Sequence, residues 1–131
     1  MKLLVDTHVW LWSLVQPARL SPQARERLVA PDSELWLSPI SVWETLVLAE
    51  RSRIEVHGPP AEWIRRALAS GPYAEASLTH AVAMASGRTG LRHADPGDRF
   101  LVATALVYEL TLVTADRRIL DFAECDVLAA A

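Results

Sequence analysis

Leu3-Leu4-Val5-Asp6-Thr7-His8-Val9-Trp10-Leu11-Trp12 carries three consecutive apolar residues, then an acid, then a second apolar run. The first three read as a short strand buried on both faces, because a parallel strand lying between two layers of helices is apolar without alternation. Thr7 reads as the cap of a helix over 8–15 that ends near Pro17. A buried strand that runs straight into a helix is the opening of an α/β unit.

The same pattern recurs outward from this stretch. Leu35-Trp36-Leu37 is a second apolar run, and Ser38-Pro39 behind it starts a helix to about Glu50. Leu112-Val113-Thr114 is a third, followed by a short helix over 117–122 and a last edge strand at Val127-Leu128. Between them, Ser21-Pro22 opens a helix, and Ile54-Glu55-Val56 reads as an extended piece. A helix over 60–70 is stopped by Gly71. Thr79 caps a helix of small residues to about Ser86, and Asp95-Pro96 starts a strong helix through Tyr108. Short apolar strands alternating with helices predict an α/β fold with a mainly parallel sheet. In such sheets ligands bind beyond the carboxyl ends of the strands.

The 131 residues are one domain's worth, with no repeat and no linker. A hydrophobic fraction of 51% against 22% charged excludes a disordered chain. Cys125 is the only cysteine, which excludes an intrachain disulfide and a cysteine-rich zinc cluster. His57, His80 and His93 have no metal-ligand spacing, and Ser41 lacks the His/Asp arrangement of a serine nucleophile. The apolar runs fall well short of the roughly 20 residues of a membrane span. The run after Met1-Lys2 stops at Asp6, too early for a signal peptide, so a cytoplasmic protein is expected. The net charge of −3 argues by itself against a polyanion partner.

The acids at the strand ends change that reading. Asp6 directly follows the first strand, and Asp116 comes two residues after Thr114. Glu44 lies in the helix after the second strand, among Ile40, Val42, Trp43, Leu46 and Val47; Asp98 lies in the first turn of the helix after Asp95-Pro96. Each has an ordinary explanation: Asp6 as a helix cap, Ser41 and Glu44 as a capping box, Asp98 as partner to the cap Asp95, Asp116 as a turn residue. Jointly they are harder to dismiss. Carboxylates gathered in an apolar surround repel one another, and a divalent cation removes that cost. Carboxylate-only ligation suits Mg²⁺ or Mn²⁺, and the matching chemistry is attack of water on a phosphodiester. Setting these four aside leaves 13 basic and 12 acidic residues. The cations are nearly all arginine, which forks onto phosphate, and Arg51, Arg53, Arg99, Arg117 and Arg118 lie near the acids in sequence.

With these residues in view, the chain resembles the PIN-domain ribonucleases, and within them the VapC-like toxins of bacterial toxin–antitoxin pairs. Leu4 to Trp12 resembles the first motif of that family, and Ser38-Pro39-Ile40-Ser41-Val42-Trp43-Glu44 the second. Asp95 to Ala105 resembles the third, and Leu112-Val113-Thr114-Ala115-Asp116 the fourth. The resemblance covers essentially the whole chain. It implies a PIN-like α/β/α sandwich and a Mg²⁺- or Mn²⁺-dependent endoribonuclease whose acidic cluster is Asp6, Glu44, Asp98 and Asp116. Asp6 would be the central metal ligand, with Asp98 and Glu44 beside it; Asp116 would bind a second metal or hold a metal-bound water. Thr7 and Thr114 would hydrogen-bond to these ligands, and Arg99, Arg117 and Arg118 would contact RNA. The implied partners are RNA, a cognate antitoxin and a second copy of the chain in a homodimer, with no membrane. The family commonly carries an aromatic where Gly97 stands and a Gln where Thr104 stands.

Two other function classes compete. A non-catalytic PIN-like module would bind RNA or protein without cutting, and loss of one or more acids would be its mark; all four are present. A phosphoacceptor domain needs a lysine beside its aspartate, and the only one, Lys2, is at the wrong end of the first strand. The five Trp residues read as core filling by default, with helix 8–15 as part of a partner groove.

Overall fold

The computed structural model describes residues 1–91 and 95–131; His93 lies outside them. Its centre is a five-stranded sheet of β1 (Lys2–Val5), β2 (Glu34–Leu37), β3 (Tyr73–Glu75), β4 (Thr111–Thr114) and β5 (Val127–Ala129). The strand order is β3-β2-β1-β4-β5. Every pairing is parallel, with Leu4 opposite Trp36 on one side and Leu112 on the other. The mainly parallel α/β reading is therefore borne out.

Seven α-helices flank the sheet among the described residues: α1 (Thr7–Val15), α2 (Pro22–Val29), α3 (Pro39–Glu50), α4 (Pro60–Ala69), α5 (His80–Ala85), α6 (Pro96–Tyr108) and α7 (Arg117–Phe122). The pleat of the strands sorts them into two layers. Leu3, Val5 and Val113 point to one face, where they meet Val9, Trp10 and Leu11 of α1, Ala24 of α2 and Ile64 and Ala67 of α4. Leu4 and Leu112 point to the other, against Leu101, Val102 and Ala105 of α6 and Ile119 of α7. Val82 and Ala85 of α5 close over Ala103 of α6. No helix among the described residues is long and apolar enough to cross a membrane.

Two local expectations are corrected, and one strand is added. Asp6, not Thr7, caps α1: its carboxylate accepts the Thr7 N–H, and Thr7 is already helical. Ile54-Glu55-Val56 forms no strand; the chain reverses after α3 through Ser52 at φ 54°, and Ile54 folds back onto the core as a turn residue. Tyr73–Glu75, unmarked in the sequence, pairs with the free side of β2 as an edge strand with no apolar run of its own.

Candidate active site

β1 and β4 are neighbours in the sheet, yet the chain leaves them towards opposite layers. After β1 it enters α1 on one face; after β4 it enters α7 on the other. A crevice opens at such a switch point beyond the carboxyl ends of the strands. Asp6 and Asp116 stand at its two sides. Each caps the helix that follows, Asp6 through the Thr7 N–H at 2.7 Å and Asp116 through the Arg118 N–H at 2.9 Å.

Asp6 is held from both oxygens. Oδ1 accepts the Thr7 N–H, and Oδ2 accepts the Thr114 hydroxyl at 2.6 Å. Thr114 in turn accepts the Asp116 N–H at 3.0 Å, so one side chain ties the two strand ends together. Burial pushes the Asp6 carboxyl above its ordinary range, with Asp116 adding to the rise; the bonds from Thr114 and Thr7 and the charge of His8 oppose it.

Glu44 reaches the crevice from α3. That helix starts at Pro39 behind the cap Ser38, whose hydroxyl accepts the Ile40 N–H. The capping box expected of Ser41 and Glu44 does not form, because both lie within the helix. Instead the Thr7 hydroxyl donates to Glu44 Oε1 at 3.0 Å and lies 2.8 Å from the Ser41 hydroxyl. Burial lifts Glu44 to about 7, with Asp6, Asp98 and Asp95 adding to the rise against the Thr7 bond. Asp98 sits in the first turn of α6, behind the cap Asp95. It is lifted to about 6, first by burial and then by Asp6, Asp116 and Asp95, with Arg118 opposing.

The structure thus brings Asp6 and Asp98 within reach of the charges of both Glu44 and Asp116, and adds Asp95 beside Glu44 and Asp98. Among the described residues, no three His, Cys, Asp or Glu side chains are gathered tightly enough, as they stand, to grip a metal ion. The donor chemistry still fits a hard divalent cation: Asp6, Glu44, Asp98 and Asp116 are all carboxylates, and each is buried or half-buried. Gly97 is part of the arrangement. A Cβ there would lie 3.2 Å from Asp95 Oδ1 and 3.6 Å from the Glu44 carboxyl, so the missing side chain leaves the acids room.

The arginines separate. Arg118 faces Asp98. Arg99 is turned away, bound through Nε and Nη2 to the Ser86 carbonyl at 3.2 and 3.0 Å. Arg117 is exposed beside Asp121 at 3.9 Å. Burial pushes the Cys125 thiol up to about 11, which keeps it from acting as a thiolate nucleophile near neutrality. Ser41 is the residue the sequence reading misassigned. It is fully buried beside Thr7, and its position one turn before Thr45 and three residues before Glu44 was the available signal.

A sheet of this order, with this cluster at its switch point, places the chain in a known group: it belongs to the PIN domain family, which it matches over residues 3–124. Within that family it is similar to Ribonuclease VapC22 of Mycobacterium tuberculosis, with 36% identity over 122 residues, 88% of each chain. It also resembles the fold in the crystal structure of VapBC2 from Rickettsia felis bound to a promoter DNA fragment, at a TM-score of 0.72 and 13% identity over the full length of both chains. DNA-bound VapBC from Salmonella typhimurium is similar at a TM-score of 0.70 and 17% identity over 98% of each chain.

Proposed function

We propose that this chain is the toxin of a toxin–antitoxin pair and cuts RNA as a Mg²⁺- or Mn²⁺-dependent endoribonuclease. The observation that carries the reading is the convergence of Asp6, Glu44, Asp98 and Asp116 on one crevice, with burial and mutual repulsion lifting Glu44 to about 7 and Asp98 to about 6. The identity to a ribonuclease of the same family supports the choice of substrate. Its structural neighbours include toxin–antitoxin complexes, which supports an antitoxin as partner, and a homodimer belongs to the same reading.

Asp6, Glu44, Asp98 and Asp116 would hold the cation. A bound divalent ion would supply positive charge to the phosphoryl oxygens and lower the pKa of its water. The chain's own residues do the rest. Thr114 and the Thr7 N–H fix the Asp6 carboxylate, and Thr7 with Ser41 fixes Glu44. Arg118, whose charge acts on Asp98, would meet a phosphate oxygen.

The test is cleavage of RNA by purified protein freed of any co-purifying partner, in Mn²⁺, in Mg²⁺ and in EDTA, with Asp98→Asn alongside. Cutting that needs the ion and disappears in the variant is the expected result. Cutting that persists in EDTA or in Asp98→Asn rejects the site; folded, partner-free protein that binds the ion but cuts no RNA rejects the nuclease.

A further inference from the structure

His8 is the second residue of α1 and directly follows Asp6 and Thr7, but it shares none of their tasks. The side-chain bonds at this end of α1 belong to Asp6 and Thr7, and His8 takes part in none of them. Thr7 is fully buried, while His8 is exposed.

Its surroundings nonetheless place it. A helical side chain leans back over the turn before its own Cα, so His8, in the first turn, leans past the start of α1 towards the strand ends, where the crevice opens. The imidazole is near enough to Asp6 for its charge to oppose the rise that burial imposes on that carboxyl. Trp12 lies one turn further along the same face, its ring centroid 6.4 Å from that of His8 and tilted by 60°. Trp12 is itself half-buried, packed against the core and covered by the Arg19 guanidinium at 4.3 Å. The imidazole thus stands between a held indole and the acids. On the other side of the switch point Arg118, in the first turn of α7, acts on Asp98. Because α1 and α7 lie in opposite layers, the acids are flanked by an N–H donor from each.

We propose that His8 holds an RNA phosphate next to the one that is cut, by donating an imidazole N–H to a phosphate oxygen. This contact rests on the nuclease reading above and adds a binding residue to it. An imidazole carries an N–H in either charge state, so the contact does not depend on its protonation. A phosphodiester chain lying across the acids from α7 to α1 meets Arg118 on one side and His8 on the other. A bond to an anionic oxygen is stronger than one between neutral groups, and the indole behind His8 lowers the entropy lost in making it. An ion fits His8 less well, since Mg²⁺ and Mn²⁺ favour oxygen donors over imidazole.

The test uses the full chain, freed of any co-purifying partner, and short single-stranded RNAs: one of mixed sequence, one rich in adenine and one rich in uracil. His8→Ala raises KM on the order of ten-fold on each, because a phosphate contact carries no sequence information, and leaves kcat near wild type. His8→Gln, which keeps an N–H donor, recovers most of the loss. Mn²⁺ affinity by calorimetry is the same in His8→Ala and wild type. In Asp98→Asn, which does not turn over, adding His8→Ala weakens binding of the labelled RNAs by a similar factor in fluorescence anisotropy. Cleavage by the wild type with a His8-independent KM overturns the contact. So does a loss confined to one RNA, which assigns His8 to a base, and so does a loss of Mn²⁺ affinity in His8→Ala, which makes it an ion ligand. His8-dependent RNA binding in a protein that never cuts rejects the nuclease and leaves the phosphate contact standing.

Discussion

The core around Leu3, Leu4, Val5 and Trp10 and the crevice around Asp6, Glu44, Asp98 and Asp116 are joined by a single peptide bond, Val5–Asp6. On one side every large side chain is sealed: Leu3, Leu4 and Trp10 are all 0% exposed. On the other, the side chains are charged alike, and burial and neighbours make each of Asp6, Glu44 and Asp98 harder to ionise. The core contributes stability by removing apolar area from water. The crevice costs stability for as long as its charges face one another alone. The same short strand serves both, since it buries two layers with its alternate residues and delivers an acid at its end. Substitutions on either side of Val5–Asp6 should therefore affect different properties.

The largest separation is expected from Asp6→Asn. The amide can still accept the Thr7 N–H with its oxygen and can donate to the Thr114 hydroxyl with its nitrogen, so the cap survives. Cleavage should fall below detection, while the melting temperature in EDTA holds or rises because a repelling charge has gone. Cleavage assays and thermal melts on one preparation decide it; a large drop in melting temperature would mean that Asp6 is structural first. Leu112→Ala makes the converse change. It empties a fully buried site in the layer of α6 and α7, at a cost of about 2–5 kcal/mol. Urea titration should show that loss, and cleavage per folded molecule should stay near wild type. A comparable loss of both would show that the two regions are not separable.

Thr114→Val sits on the boundary and should act on the crevice alone. It keeps the shape in a buried strand but removes the donor to Asp6 Oδ2 and the acceptor of the Asp116 N–H. Losing such a supporting bond typically weakens ion affinity or activity about 10–100-fold. Ion titration followed by calorimetry checks this against Asp6→Asn, and an unchanged affinity would remove Thr114 from the site.

The legibility of the two regions differs in the same way. The core could be read because burial on both faces leaves a local mark: Leu3-Leu4-Val5, Leu35-Trp36-Leu37 and Leu112-Val113-Thr114 are each explicit. β3 could not, because Tyr73-Ala74-Glu75 lies at the sheet edge and needs no apolar run; its pairing with β2 exists only in the folded chain. Asp6, Asp98 and Asp116 could be read from their places after a strand or at a helix start, and Glu44 from its apolar neighbours on α3. Of their holders, Thr7 and Thr114 came with the family resemblance, but Ser41 did not: its contact with Thr7 joins residues 34 positions apart, and no local pattern encodes it. Ile54-Glu55-Val56 misled in the opposite sense, since a β-branched pair around an acid looks extended whether or not a strand lies beside it.

The smallest expected effect is on the pH dependence of stability, and it isolates the crevice from the core most finely. In the folded, ion-free protein Glu44 keeps its proton to about pH 7 and Asp98 to about pH 6, against ordinary values of 4.5 and 3.8. Between those limits the folded state binds more protons than the unfolded chain, so stability falls as pH rises. The contribution is fully present below the ordinary values, is lost through the folded ones, and is flat above about pH 7. Both groups are only half-buried, so solvent screening keeps the effect modest. Exposed acids elsewhere titrate over part of the same window, which makes the difference between wild type and Asp98→Asn the quantity to measure. In EDTA the wild type should lose more stability than the variant from pH 4 to pH 7. Saturating Mn²⁺ should remove that excess in the wild type, because an ion bound only by the folded state stabilises it most where the carboxylates are ionised. Identical pH profiles for the two proteins in EDTA would mean that Asp98 does not share the repulsion, and the crevice would then reduce to Asp6, Glu44 and Asp116.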